Sequence, residues 1–222
     1  MKTRDLKNRI RRMLEEKDVE KSLIEIRRMP LRQAVNPLFS FLYSTNELIR
    51  WHAVSAMGEI VCALAETDME AARVIMRRLM WNLNEESGGI GWGSAEAMGE
   101  ICARNESLGL EFAKILISCI DPRQNFIENE KLQQGVLWGI GRLSNARPEQ
   151  IKYAARHLAP FLTSPDPILR GLAAWGAAPL KDSATDPLLK GLSNDHTEIT
   201  IYLDHRLVIS TLSSLLRSRG RS

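Results

Sequence analysis

Apolar residues recur at helical spacing along most of this chain, in blocks parted by short polar or proline-containing breaks. Leu6, Ile10, Met13 and Leu14 form the first stripe and predict a helix over residues 4–16. A second helix is expected over 18–29, closed by Pro30. Asn36-Pro37 should open a short helix through Tyr43, and Ser44-Thr45-Asn46 offers capping oxygens for a longer one from Glu47 to about Ala65. The inward stripe of that helix is Ile49, Ala53, Ala56, Met57, Ile60 and Leu64. Further pairs are expected at 69–83 with 94–103, and at 107–120 with 129–143. A last pair joins 148–162 to a helix that starts near Asp166-Pro167 and stops before Pro179.

These blocks repeat. Trp51-His-Ala-Val-Ser-Ala-Met-Gly-Glu-Ile60 returns as Trp92-Gly-Ser-Ala-Glu-Ala-Met-Gly-Glu-Ile101, displaced by 41 residues. Weaker echoes follow at Gln134–Leu143 and Arg170–Leu180. A period near 40 with helical texture predicts an all-α, HEAT-like or armadillo-type α-solenoid, here of four to five helical hairpins. Small residues recur in the second helix of each pair: Ala53, Ala56 and Gly58; Ala97 and Gly99; Gly135, Gly139 and Gly141; Ala173, Gly176 and Ala177. Glycine inside a helix costs about 1 kcal/mol relative to alanine, so its recurrence implies close backbone packing that recovers the loss. The expected organisation is one repeat domain over 1–222, with capping helices at 1–34, repeats at 35–180 and a C-terminal cap at 181–222.

The tail breaks the helical pattern. Asp186–Leu192 reads as a short helix, but Ile199-Thr-Ile-Tyr-Leu203 is alternating and β-branched. A turn at Leu203–Arg206 into Leu207-Val-Ile209 would make a β-hairpin before a last helix at 211–216; one continuous helix from about 197 is the competing reading. A lone hairpin is marginal, so it should cover the open end of the stack.

Composition narrows the class. Hydrophobic residues at 44% and charged residues at 26% are ordinary for a folded protein. No run approaches the length of apolar residues a membrane span needs, and the basic start Met1–Arg9 has no apolar segment behind it, so a cytoplasmic protein is expected. Cys62, Cys102 and Cys119 contain no Cys-x-x-Cys pair and lie in apolar helical patterns, as buried reduced thiols do. The net charge of +3 conceals a basic arm: residues 1–32 carry 11 Lys or Arg against 6 Asp or Glu. That arm reads as the solvated face of a capping helix or as a contact for an acidic partner or nucleic acid.

At Asn46-Glu-Leu-Ile-Arg50-Trp-His-Ala53-Val-Ser-Ala56-Met-Gly58 and Asp166-Pro-Ile-Leu-Arg170-Gly-Leu-Ala173-Ala, the chain resembles HEAT-like repeats of the phycobilisome-lyase type. Those typically read Asp-Pro-x-Val-Arg-x-x-Ala-Ala-x-Ala-Leu-Gly. The resemblance spans about residues 35–180 and implies a fold rather than an activity. The second and third repeats depart from it: Gly91 replaces the repeat arginine, and Gln133-Gln134 lacks the Asp-Pro start. The segment Trp81-Asn-Leu-Asn-Glu-Glu-Ser-Gly-Gly-Ile-Gly-Trp-Gly93 is similar to a signature of bacterial HEAT-repeat proteins associated with sulfate reducers, which implies the fold alone.

Candidate chemistry gathers on the second helices and the loop before the second Trp. Gly88, Gly89, Gly91 and Trp92, preceded by Glu85, lead into a helix N-terminus whose free N–H groups could hold an anion. The alternative is an enlarged loop that packs Trp81 against Trp92. Glu96 and Glu100 lie one turn apart, and His52 and Glu59 two turns apart on the equivalent helix of the preceding repeat. Stacked helices would bring them together as acid, base or metal ligands, or as an ion-pair network with Arg50, Arg104 and Arg142. Trp51, Trp92, Trp138 and Trp175 could line a concave aromatic face, although core positions suit at least two of them. Trp92, Glu96 and Arg142 are also similar to the aromatic-plus-acid arrangement of HEAT-like alkylpurine DNA glycosylases, which implies a nucleic-acid-acting alternative. No catalytic constellation, cofactor motif or metal spacing is defined. The expected function is therefore a non-catalytic module that binds a protein or peptide through the concave face and the 84–93 loop. The site residues are His52, Glu59, Glu85, Gly88, Gly89, Gly91, Trp92, Glu96, Glu100 and Arg142. A small-ligand or metal protein is the further alternative.

Overall fold

A computed structural model describes residues 3–84 and 91–217. Helices α1 (Thr3–Glu15), α3 (Leu31–Leu42), α5 (Met69–Asn84) and α7 (Glu106–Ser118) form an outer row. Helices α2 (Val19–Arg27), α4 (Glu47–Thr67), α6 (Ser94–Arg104), α8 (Glu130–Ala146) and α10 (Pro167–Ala177) form an inner row in which each packs on the next. This is the expected stack of helical hairpins.

Asparagine and aspartate set where the helices begin. The side chains of Asn46, Asp68, Asn105, Asn129 and Asp166 each accept a backbone N–H from the following first turn. Two expectations fail locally. Pro37 does not open α3 but sits inside it, behind a start at Pro30; burial of Ala34, Leu38 and Leu42 outweighs the backbone hydrogen bond that Pro37 forfeits. The expected helix over 148–162 is broken into 3₁₀ turns around the four-residue α9 (Ala155–Leu158). Pro160 denies that segment a donor, while Ile151, Leu158 and Leu162 still reach the core.

Glycine explains how closely the inner helices approach. A Cβ on Gly58 would press on the Glu100 and Arg104 side chains of α6, and one on Gly99 would overlap the Gly139 backbone of α8. Gly141 in turn lies under the Trp175 ring of α10. Equivalent glycines thus each face the next inner helix, meeting side chains at Gly58, backbone at Gly99 and an indole ring at Gly141. One continuous apolar core runs from Leu6 to Leu215. Helix α4 has the length and apolarity of a membrane span, yet 72% of that stretch is buried within the fold, as suits the middle of the stack.

After the short α11 (Asp186–Gly191), β1 (Glu198–Leu203) and β2 (Arg206–Thr211) form an antiparallel hairpin that leads into α12 (Leu212–Leu215). Asp204 (φ 45°) and His205 (φ 62°) make the two-residue turn, both left-handed as a tight hairpin of this hand requires. The hairpin does more than cover the end of the stack. Ile199 packs over Gly171 of α10, and the tip reaches back across the inner row to Ser55 of α4, about 150 residues earlier in the chain. Buried aromatic contacts on α4 and α8, unavailable at the end, draw it there.

Candidate functional site

Four inner helices begin along one side of the stack, and the hairpin crosses in front of them. The space enclosed is a cavity of about 590 Å³, in the size range of ligand pockets. Helix α4 contributes Arg50 and Trp51, and the entry to α6 contributes Trp92 and Glu96. Leu132 and Trp138 come from α8, Ile168 and Leu172 from α10, and residues 198–202 of β1 close the remaining side.

The wall shared by hairpin and helices is aromatic. Tyr202 stacks on Trp51 with ring centres 4.8 Å apart and planes within 10°. Trp138 tilts against Trp51 at 4.7 Å, and Trp175 lies behind it at 6.1 Å. Trp138 donates its indole N–H to the Tyr202 carbonyl at 2.9 Å, and the Tyr202 hydroxyl meets Ser55 Oγ at 2.9 Å. Burial raises the pKa of that hydroxyl, which stays neutral. Trp138 and Trp175 are buried core residues, whereas Trp92 is 37% exposed at the cavity.

Among the described residues Glu47, Glu96 and Glu198 are the acids that line this cavity, beside the cations Arg50 and Lys131. Burial raises the pKa of Glu96, opposed by a hydrogen bond from its own backbone N–H and by the charge of Arg50. Its carboxylate lies against the bare Cα of Gly135, where any larger residue would collide with it. Among the described residues Glu96 forms no ion pair. Arg50 turns instead to Glu47 at 3.4 Å and to the Trp92 ring at 6.0 Å.

Glu59 and Glu100, outside the cavity lining, are engaged in ion pairs. Glu59 takes Arg27 at 2.8 Å and Arg104 at 2.5 Å, and Glu100 takes Arg104 at 2.5 Å and Arg142 at 2.7 Å. The result is one chain of charges across α2, α4, α6 and α8. Burial pushes the Glu100 carboxyl up, but Arg142 and Arg104 together outweigh it and hold it below the ordinary range. His52 is buried and donates its Nδ1–H to the Leu14 carbonyl at 2.7 Å.

Of the residues singled out in the sequence, Trp92 and Glu96 therefore meet at the cavity, next to the buried Gly91. His52, Glu59, Glu100 and Arg142 lie outside its lining, and Glu85, Gly88 and Gly89 fall outside the described residues. Trp81 is 69% exposed, and among the described residues it forms no aromatic ring pair with Trp92. Sequence reasoning missed Tyr202, Gly135 and Arg27. A lone tyrosine in an apolar strand signals burial, but nothing local names its partners. Burial also raises the thiols of Cys62 and Cys102 to about 12 and of Cys119 to about 11, so they stay protonated. Among the described residues no three His, Cys, Asp or Glu side chains come together as a metal site.

Known proteins agree with this geometry at the level of fold. No protein-family profile matches the chain. An uncharacterised protein of Archaeoglobus fulgidus is 31% identical over 105 residues, 47% of this chain and 51% of that protein, so the match spans about half the length of the relative. An engineered protein superposes with a TM-score of 0.53 at 17% identity, covering 87% of this chain and 90% of its own. A designed armadillo repeat protein gives 0.53 at 16% identity over 96% and 97%. Another, solved in complex with the peptide (KR)4, gives 0.51 at 18% identity over 86% and 93%. The chain has the fold of an armadillo-like α-solenoid with a small C-terminal two-stranded sheet.

Proposed function

We propose that this protein is a non-catalytic peptide- or protein-binding module, and that the cavity beside the hairpin takes a basic side chain of its partner. The observation that carries this reading is Glu96, an acid without an ion-pair partner among the described residues, set among Trp51, Trp92 and Trp138 in a space large enough for a ligand. An aromatic face next to a carboxylate favours a lysine or arginine head group, whose stem lies along the rings while its charge meets the acid. A designed armadillo repeat protein of similar fold, solved in complex with the peptide (KR)4, gives general support. Because the hairpin crosses the inner row at this cavity, we take the cavity, rather than a wide concave face, as the recognition surface. The repeats themselves we assign to the HEAT-like phycobilisome-lyase type, on the motifs at Asn46 and Asp166.

The test is titration of tryptophan fluorescence with the peptide (Lys-Arg)4, using (Glu-Ala)4 as a control. Trp51 and Trp92 should report saturable binding of the basic peptide alone. Glu96→Gln should weaken it at least tenfold, about 1.4 kcal/mol, and the remote Glu149→Gln should not. Equal binding by wild type and Glu96→Gln would remove the cavity from the function.

A further inference from the structure

We infer that the outer edge of β1 is a recognition edge, on which an extended peptide segment is added as a third strand inside the cavity. This rests on the peptide-binding reading and specifies how the backbone of the partner is held.

The alternation of the hairpin fixes which backbone groups are free. Leu212 N–H donates to the Thr197 carbonyl at 3.0 Å, so 197 and 212 form a hydrogen-bonded pair, and by alternation so do 199 with 210, 201 with 208 and 203 with 206. Glu198, Thr200 and Tyr202 therefore direct their N–H and C=O groups away from β2. The bond from Trp138 to the Tyr202 carbonyl confirms that parity, because it arrives on the outer side. Among the described residues the outward N–H and C=O of Thr200 and of Glu198 meet no partner.

That edge faces the cavity. Five consecutive residues, 198 to 202, border it, although successive side chains of a strand point to opposite faces. Both faces can border one space when the strand turns its edge toward it. Beyond Glu198, the strand Glu-Ile-Thr-Ile-Tyr-Leu carries no proline, lysine or other charge of the kind with which exposed edges are blunted. Thr200 and Glu198 are exposed, while Ile199, Ile201 and Tyr202 are buried anchors. Among the described residues the edge thus offers an unpaired template at Glu198 and Thr200, next to a Tyr202 carbonyl already taken by Trp138. An extended backbone is the ligand whose donors and acceptors match it, and Glu96 with Glu198 matches a basic residue on that backbone.

Thr200→Pro removes the outward N–H without touching the β1–β2 ladder, and Thr200→Ala keeps it. The probes are (Lys-Arg)4 and the same peptide methylated on every backbone nitrogen, followed by fluorescence and by sedimentation of the protein alone. Wild type and Thr200→Ala should bind the parent peptide alike; Thr200→Pro should bind it at least tenfold more weakly, and the methylated peptide should not bind wild type. If the methylated peptide binds as well as the parent while Glu96→Gln weakens both, the cavity reads side chains without strand pairing; the inference falls and the binding function stands. The methylated peptide decides the matter even if Thr200→Pro misfolds. Self-association that Thr200→Pro abolishes, without peptide binding, would assign the edge to a second copy and overturn the proposal. Binding of no peptide at all would remove the peptide-binding function and this inference with it.

Discussion

Trp138 and Tyr202, 64 positions apart, are joined by an indole N–H that donates to a main-chain carbonyl at 2.9 Å. That bond fixes the hairpin to the inner row and holds one wall of the cavity. A buried donor or acceptor left unsatisfied costs about 1–3 kcal/mol. Trp138→Phe keeps an aromatic ring but strands the Tyr202 carbonyl, and should lower the melting temperature by about 2–12 °C. Amide exchange in β1 should quicken more than in α4, which hydrogen-exchange mass spectrometry would show. Uniform loss of protection would mean that the hairpin is not a separately docked element.

Glu100 is the centre of the charge chain, buried between Arg104 and Arg142. Removing one member of such a group leaves the others without their counter-charge, at a cost on the order of 3 kcal/mol. Glu100→Ala should show that loss in chemical denaturation. Because the native carboxyl titrates below the ordinary 4.5, its stabilisation is complete above pH 4.5. As pH falls below that value the unfolded chain binds the proton first, so the gap between wild type and variant should narrow. A gap independent of pH would locate the loss in packing instead.

Glu96 behaves oppositely. Its native pKa is raised above 4.5 by burial, so the protonated form is the better tolerated one. The stability it contributes is present below pH 4.5 and is lost as pH rises through the native pKa. Glu96→Gln should therefore melt a few degrees higher than wild type at pH 8 and level with it at pH 4. A lower melting temperature at pH 8 would show that ionised Glu96 has a stabilising partner.

Two glycines offer a contrast in packing. A methyl group at Gly99 meets the Gly139 backbone, which has no side chain to rotate away, whereas one at Gly191 meets nothing within 4 Å. Gly99→Ala should cost about 3 kcal/mol by forcing α6 from α8. Gly191→Ala should be neutral or stabilise by up to about 1 kcal/mol. Calorimetry of the pair would test whether helix contact, rather than glycine itself, sets the cost.

The repeat, the helix starts at Asn46, Asp68 and Asp166, and the two strands were legible because each is a local property: spacing, capping chemistry and alternation. Trp92 and Glu96 could be singled out for the same reason, lying one helical turn apart. The breaks around α9 and the helical Pro37 were not legible, because distant core contacts override local preference there.

The sequence by itself determined the solenoid, since a period of about 40 leaves each helix pair with an apolar face that its neighbour must cover. Only the tertiary structure decided that Glu59 and Glu100 are neutralised by Arg27, Arg104 and Arg142 while Glu96 is not. It also decided that the hairpin crosses the inner row and turns an edge to the cavity. Charge pairing and strand docking depend on distances between segments far apart in the chain, and no local pattern encodes those distances.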